Sequence, residues 1–402
     1  MSLRGRALLE RMKWTVKGAP LAAGAAWRDG AGPRTPRELR AHLDALLGWI
    51  ERGHDASGRA GVARSYVLRR HHRYGVVGWL PAYPETTGYI IPTLYAAARQ
   101  LGRQELATRA TEMAAWEASI QLPDGAVRGG TVADPVSPAV FNTGQVLFGW
   151  VAAYDETGEA RWLDCAARAG RWLVENLDDD GAWRRGASKF AAAGGHVYNA
   201  RAAWGLALYG VRANDRAAQQ AARRSAEFAL KNQLDNGWFA DNCLSDPLHP
   251  LTHTIAYAAQ GVLEIGLLLD EPRFVEAARK TARGVLGAIG PGGFLPGRLD
   301  RDWRPAVDWS CVTGAAQMGL VYDRLERQDG GGQWKAAADR VLHHALSAQD
   351  LDHADGGVRG GVPGSFPIWG GYGSYEYLNW AAKFLADLVL GRLAEEPGGT
   401  RG

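Results

Sequence analysis

Residues 159–210 read EARWLDCAARAGRWLVENLDDDGAWRRGASKFAAAGGHVYNARAAWGLALYG, and three kinds of segment follow one another within them. The first, to about 176, carries Trp162, Cys165, Ala166, Ala169 and Leu173 on one stripe, which Arg161, Asp164 and Arg168 avoid. Apolar residues recurring every three to four positions beside a charged face mark a helix with one wet side. LDDDGAW then places Asp and Gly where a helix stops. The last segment, 196–210, is nearly free of charge, as a helix buried all round must be.

The same triplet recurs along the chain. Wet segments fall at about 38–53, 103–120, 159–176, 215–232, 272–289 and 332–349. After the later five come QLPDGAVRGG, LDDDGAW, QLDNGWF, GPGGFLPG and DHADGGVRGG. Dry segments fall at 85–100, 137–155, 196–210, 252–269, 308–325 and 375–391. A repeat of roughly 52–65 residues built from one wet and one dry helix predicts an all-α chain of stacked helix pairs. Closing six pairs into a ring, an (α/α)6 toroid, shields all the dry helices at once, whereas an open solenoid leaves two ends bare. The core of this single domain of 1–402 runs over about 38–391, with 1–37 an extension and 392–402 a tail. Within 54–84, Val67, Tyr74, Val76, Val77 and Trp79 are β-formers and predict a short hairpin or lid.

Bulk properties narrow the function classes. Of 402 residues, 46% are apolar and 22% charged, which suits a folded chain with a large core. A net charge of +3 without a basic stripe argues against nucleic acid as a partner. Cys165, Cys243 and Cys311 are odd in number and scattered, which fits a reducing, cytoplasmic setting rather than a disulfide framework. No run approaches the ~20 apolar residues of a membrane span. The basic start, Arg4, Arg6, Arg11 and Lys13, points at most to peripheral contact with a membrane surface. Oligomeric state has no signature in the sequence.

In this topology every dry helix starts at the same end of the ring, so the six starts converge on one mouth. They read PETTGY (Glu85, Thr86, Thr87, Tyr89), FNTGQ (Asn142, Thr143, Gln145), GHVYNAR (His196, Tyr198, Asn199, Arg201), PLTHTIAY (Thr252, His253, Tyr257), VDWSCVTG (Asp308, Trp309, Ser310, Thr313) and YGSYEYLNW (Tyr375, Glu376, Tyr377, Asn379). Taken singly, Thr86, Thr143, Thr252, Asp308 and Ser374 read as N-caps. Capping does not explain His, Tyr, Asn and Arg crowded within six residues of a buried helix, and burying Arg201 without a partner is costly. The aromatics Tyr89, Tyr257, Trp309, Trp369 and Tyr375, with the polar Asn142, Asn199 and Arg201, form a candidate binding surface for a carbohydrate. Trp183 and Trp238, at equivalent repeat positions, read instead as packing between repeats. The sequence calls for no cofactor and no metal; Asp241 and Cys243 are too slight a pattern for a zinc site.

The alternating helices and the DG-W turns resemble the six-hairpin glycan enzymes, which include polysaccharide lyases, unsaturated-glycuronyl hydrolases and uronate epimerase-like proteins. PETTGYIIPTLY, YNARAAW, LTHTIAY and NWAAKF also resemble a bacterial group found with exopolysaccharide-biosynthesis genes, and the likeness spans about 80–391. The resemblance implies a carbohydrate substrate, and in the lyase or C5-epimerase version an Asn, His, Tyr and Arg set. His196, Tyr198 and His253 would then carry proton transfer beside Asn199, Arg201 and Tyr257. Glycoside hydrolysis is the alternative and needs two carboxyl groups, for which Glu85, Asp308 and Glu376 stand at dry-helix starts. QLPDG and QLDNGW also resemble the turns of terpene-cyclase and prenyltransferase rings, but the DxDD and DDxxD acid motifs are missing. A non-catalytic glycan-binding ring would keep the aromatics without perturbed acid and base groups.

Overall fold

The computed structural model describes residues 19–187 and 191–395. A first helix, α1 (19–30), precedes twelve that alternate as the sequence predicts. The wet helices are α2 (Leu39–Ala56), α4 (Gln104–Ile120), α6 (Ala160–Glu175), α8 (Arg216–Lys231), α10 (Pro272–Gly287) and α12 (Gln333–Ser347). The dry helices are α3 (Pro84–Leu101), α5 (Val140–Thr157), α7 (Ala200–Arg212), α9 (Thr252–Leu268), α11 (Val312–Asp329) and α13 (Asn379–Glu395). Each dry helix touches the next, α3 on α5 and so on to α13, and α13 returns to α3, so the inner ring is closed. The architecture is an (α/α)6 toroid.

Glycines set the spacing of that ring. A Cβ on Gly144 would lie 2.5 Å from Ala202 Cα, and one on Gly205 would lie 2.1 Å from Gly144 O, so α5 and α7 meet backbone to backbone. Pairing differs in one respect from the order read along the sequence. The tight hairpins run from an inner helix to the outer helix after it, as at Gly102 and Gly158, left-handed stops at φ 67° and 70°. The glycine-rich turns lead from that outer helix to the next pair. There Gly181 (φ 91°) and Gly360 (φ 79°) press on the following outer helix, where a Cβ would fall 2.2 Å from Arg224 O and 2.3 Å from Ala45 O. The last pair joins the two ends of the chain, with α2 packing on α13.

Segment 54–84 forms the expected hairpin, β1 (Ser65–Val67) against β2 (Gly78–Trp79). It is a wall rather than a lid, because β1 also pairs with β5 (Glu376–Leu378), matching Ser65 to Leu378 and Val67 to Glu376. A second small sheet joins β3 (Ser310–Cys311) to β4 (Ser365–Phe366). Trp183 is buried with its indole N–H donating to Leu173 O at 2.9 Å, and buried Trp238 meets Trp303 edge to face, so both are packing residues. Asp29 of α1 accepts from Ile368 N at 2.8 Å and ties the extension to the ring. The basic start lies outside the described residues. No described helix is long and apolar enough to cross a membrane.

Candidate active site

A cavity of about 210 Å³ opens at the N-terminal ends of the inner helices. It is smaller than the roughly 300–1,000 Å³ of drug-sized pockets, which suits one sugar ring rather than a run of them. Its titratable groups come from separate elements. Glu85 stands in the first turn of α3, His253 in the first turn of α9, and Arg64 just before β1. Aromatic walls enclose them: Phe141 from α5, Tyr198 from the 3-10 turn before α7, Tyr257 from α9, Tyr372 from the approach to α13 and Trp380 from its first turn.

Burial raises the Glu85 carboxyl to about 7, against the opposing pull of the Tyr83 hydrogen bond and of Arg64 and Arg201. The Tyr83 hydroxyl donates to Glu85 Oε2 at 2.5 Å. Burial acts oppositely on His253, lowering it to about 4, while a bond from Gln317 pulls the other way. His253 Nδ1 is 2.7 Å from Gln317 Oε1, so the neutral ring keeps its proton on Nδ1 and leaves Nε2 able to accept one. The ring is held between Tyr257 and Tyr372, with centroids 4.3 and 5.4 Å away. Arg64 lies 5.2 Å from the Trp380 ring and donates to Glu376 Oε2 at 2.9 Å. A carboxyl that titrates near neutral pH, a neutral imidazole and a guanidinium thus share one apolar chamber.

Of the residues singled out from sequence, Glu85, Tyr198, His253 and Tyr257 line this chamber. His196 stands behind it, with Nε2 2.7 Å from Ala192 O and its ring stacked on Tyr198 at 5.3 Å. Asn142 donates to Arg128 O at 2.9 Å, Asn199 is buried, and neither lines the cavity. Tyr89 and Arg201 face a second cavity lower in the barrel. Glu376 reaches the chamber only through Arg64.

Trp369 stands apart from the chamber lining in the turn after β4, and Asp308, Trp309 and Tyr375 stand apart for a common reason: the inner helices begin later than their polar starts suggest. α11 starts at Val312 after β3, and α13 at Asn379 after β5, which leaves these residues in the preceding turns. Asp308 is exposed, and Trp369 is 46% exposed. Trp309 fills the space over Gly297, where a Cβ would lie 2.1 Å from its ring, and Tyr375 lies under Arg69, whose Cζ is 3.4 Å from the ring centroid. The cap reading also needs correction. The N-caps are Tyr83, Ala139, Leu251 and Cys311, none with a side-chain cap bond. Thr143 sits one turn further in, where its Oγ1 accepts from Val127 N at 2.9 Å and donates to Ala139 O at 2.7 Å, pinning a glycine turn to its helix. Arg64 lies outside every motif singled out from sequence, while Phe141 and Trp380 sit in FNTGQ and YGSYEYLNW without being singled out there. Among the described residues, no three His, Cys, Asp or Glu side chains gather to hold a metal.

Solved structures that superpose on this chain include glycan enzymes. An unsaturated glucuronyl hydrolase specific for heparin superposes with a TM-score of 0.69 at 17% identity, covering 89% of this chain and 97% of that one. The unsaturated glucuronyl hydrolase of Bacillus sp. GL1, responsible for glycosaminoglycan degradation, gives 0.69 at 14%, covering 90% and 98%. Cellobiose 2-epimerase from Bacillus thermoamylovorans gives 0.68 at 11%, covering 87% and 97%. This chain has their fold. No family model and no curated protein matches the sequence. At these identities the toroid is what is shared, and the chemistry rests on the toroid's own residues.

Proposed function

We propose that this toroid is a carbohydrate-active enzyme that moves a proton on a uronate-containing glycan, as a lyase or C5-epimerase. The observation that carries the reading is the pairing of Glu85, raised to about 7, with neutral His253 across one aromatic chamber. One group holds a proton to give and the other has a site to receive one. A uronate carboxylate near Arg64 would have its charge countered, which acidifies the C5 proton. The same carboxylate raises the basicity of His253, a weak base in the empty chamber. In the lyase version His253 Nε2 takes the C5 proton, the C5–H electron pair becomes the C4–C5 double bond, and the departing O4 takes the proton of Glu85. In the epimerase version Glu85 returns a proton to the opposite face of C5. The setting in bacterial polysaccharide assembly rests on the sequence resemblance.

Glycoside hydrolysis is the second reading, favoured by the same raised Glu85, which suits a general acid, and by solved neighbours described as glucuronyl hydrolases. Against it, Glu85 is the carboxyl group that lines the chamber, whereas Glu376 is engaged with Arg64 behind it. Incubation with uronate-containing oligosaccharides in heavy water tests the readings together. Absorbance of an unsaturated product marks a lyase, deuterium at C5 an epimerase, and new reducing ends without either a hydrolase. An absence of all three removes the catalytic reading.

A further inference from the structure

The inner barrel holds a second cavity, about 300 Å³, lined by residues of α3, α5, α7 and α13. It shares no lining residue with the upper chamber. A layer formed by Tyr89, Tyr257 and Phe384 separates the two, with ring centroids 5.5 Å (Tyr89–Phe384) and 6.1 Å (Tyr257–Phe384) apart.

Arg201 lies on this cavity and is 2% exposed. Its Nε donates to Gln145 Oε1 at 3.0 Å and its Nη1 to Gln260 Oε1 at 2.6 Å. Both are neutral acceptors, and no carboxylate among the described residues pairs with it. Aromatic faces of Trp204 and Phe384 stand 5.0 and 4.9 Å from Cζ and offset part of the cost of burying the charge. Its Nη2 makes no hydrogen bond among the described residues. Beside it, Lys383 donates to Asp387 Oδ2 at 2.5 Å, and Thr93 Oγ1 donates to Asp387 Oδ1 at 2.6 Å. Asp155, also on the lining, is bound by Arg212. The carboxylates of the cavity are therefore engaged, and the charged capacity left over is cationic, Arg201 Nη2 and the remaining ammonium hydrogens of Lys383, beside the unpartnered Tyr89 hydroxyl.

A buried cation without an ionic partner, beside an ammonium with hydrogens to spare, calls for an anion. Phe148, Val151, Trp204 and Leu208 make the rest of the wall apolar. We propose that this lower cavity is a binding site for a small organic carboxylate with an apolar body, its carboxylate on Arg201 and its body against Trp204. The site needs no reaction in the upper chamber, although the charge of Arg201 also pulls on Glu85 there.

Benzoate is the probe, with benzamide as its uncharged counterpart and inorganic phosphate as an anion without an apolar body. The full chain should bind benzoate saturably by calorimetry, one per chain, and bind neither comparator. Ala152→Trp, which fills the cavity from α5 without touching its charges, should weaken benzoate at least about tenfold, or 1.4 kcal/mol. Trp204→Phe keeps an apolar ring and serves if the larger substitution does not fold. It should abolish the benzoate-dependent change in indole fluorescence. The proposal is overturned if wild-type chain does not bind benzoate, if benzamide or phosphate binds as well, if folded Ala152→Trp keeps its affinity, or if the fluorescence change survives in Trp204→Phe.

Discussion

The Tyr83 hydroxyl and Glu85 Oε2 meet at 2.5 Å inside the upper chamber, and this bond favours the charged form of a carboxyl that burial drives the other way. If Glu85 delivers a proton, kcat/KM falls as pH rises through about 7. Tyr83→Phe removes the bond to the charged form, so the alkaline limb moves up by about one unit, the size of a typical hydrogen bond to a charged group. A pH–rate profile of both proteins decides it; a limb that stays in place separates Glu85 from the rate.

His253 and Asp308 give a paired test of which sequence-level candidates matter. His253→Ala should lower kcat by about 10²–10⁴, the usual contribution of a positioned base. Asp308→Asn, at an exposed position off the cavity, should leave kcat within about twofold. Steady-state rates on a turned-over uronate glycan read both, and the opposite ranking would move the active site to the α11 approach.

The contact of α5 with α7 tolerates no side chain at Gly144. Gly144→Ala places a Cβ 2.5 Å from Ala202 Cα and should cost about 1–3 kcal/mol as the helices part. Gly287→Ala, with nothing within 4 Å, should stay within about 0.5 kcal/mol. Urea unfolding of the two variants against the parent checks the difference, and equal midpoints would contradict the close packing of the inner ring.

Glu117, on α4, is fully buried, and neither carboxyl oxygen has a hydrogen-bond partner. Burial alone raises its pKa well above the ordinary 4.5. A raised carboxyl contributes stability that is present below the unfolded value and is lost as pH climbs above it, because only the unfolded chain ionises freely. Glu117→Met should therefore raise Tm, by an amount worth about 1–3 kcal/mol. The gain should widen from about pH 4 to about pH 8. Thermal scans at both ends measure it; a gain that shrinks with pH would mean that Glu117 is charged in the folded state.

The helices were legible because apolar periodicity is local: the twelve ring segments read from 38 to 391 recur in the structure with their ends shifted by a few residues. So was the end of the barrel that holds the chamber, since Glu85, Tyr198, His253 and Tyr257 follow from shared helix polarity. What escaped depends on pairings distant in sequence. Arg64 joins the wall through its bond to Glu376, 312 positions away, beside a strand pairing that no local pattern announces. Asp308 and Tyr375 fell away because short strands delay the helix starts by a few residues. The sequence pattern puts Arg201 at the mouth, but no residue spacing tells which way a long side chain lies along a barrel axis, and it lies toward the lower cavity.

The packing of α2 on α13 makes synthesis order matter. An outer helix made early waits for its inner partner until some 320 residues later, by the spacing of Leu39–Ala56 and Asn379–Glu395. Until then the apolar faces of α2, α3 and α11 that α13 covers are bare, on a ribosome-bound spiral that cannot yet shut. Long-range closure of this kind slows folding and leaves a sticky intermediate. Yet the seam repeats the same inner-outer packing found at the other five pairs, so moving it to another tight hairpin by circular permutation would leave the finished ring the same and change only which helix it waits for.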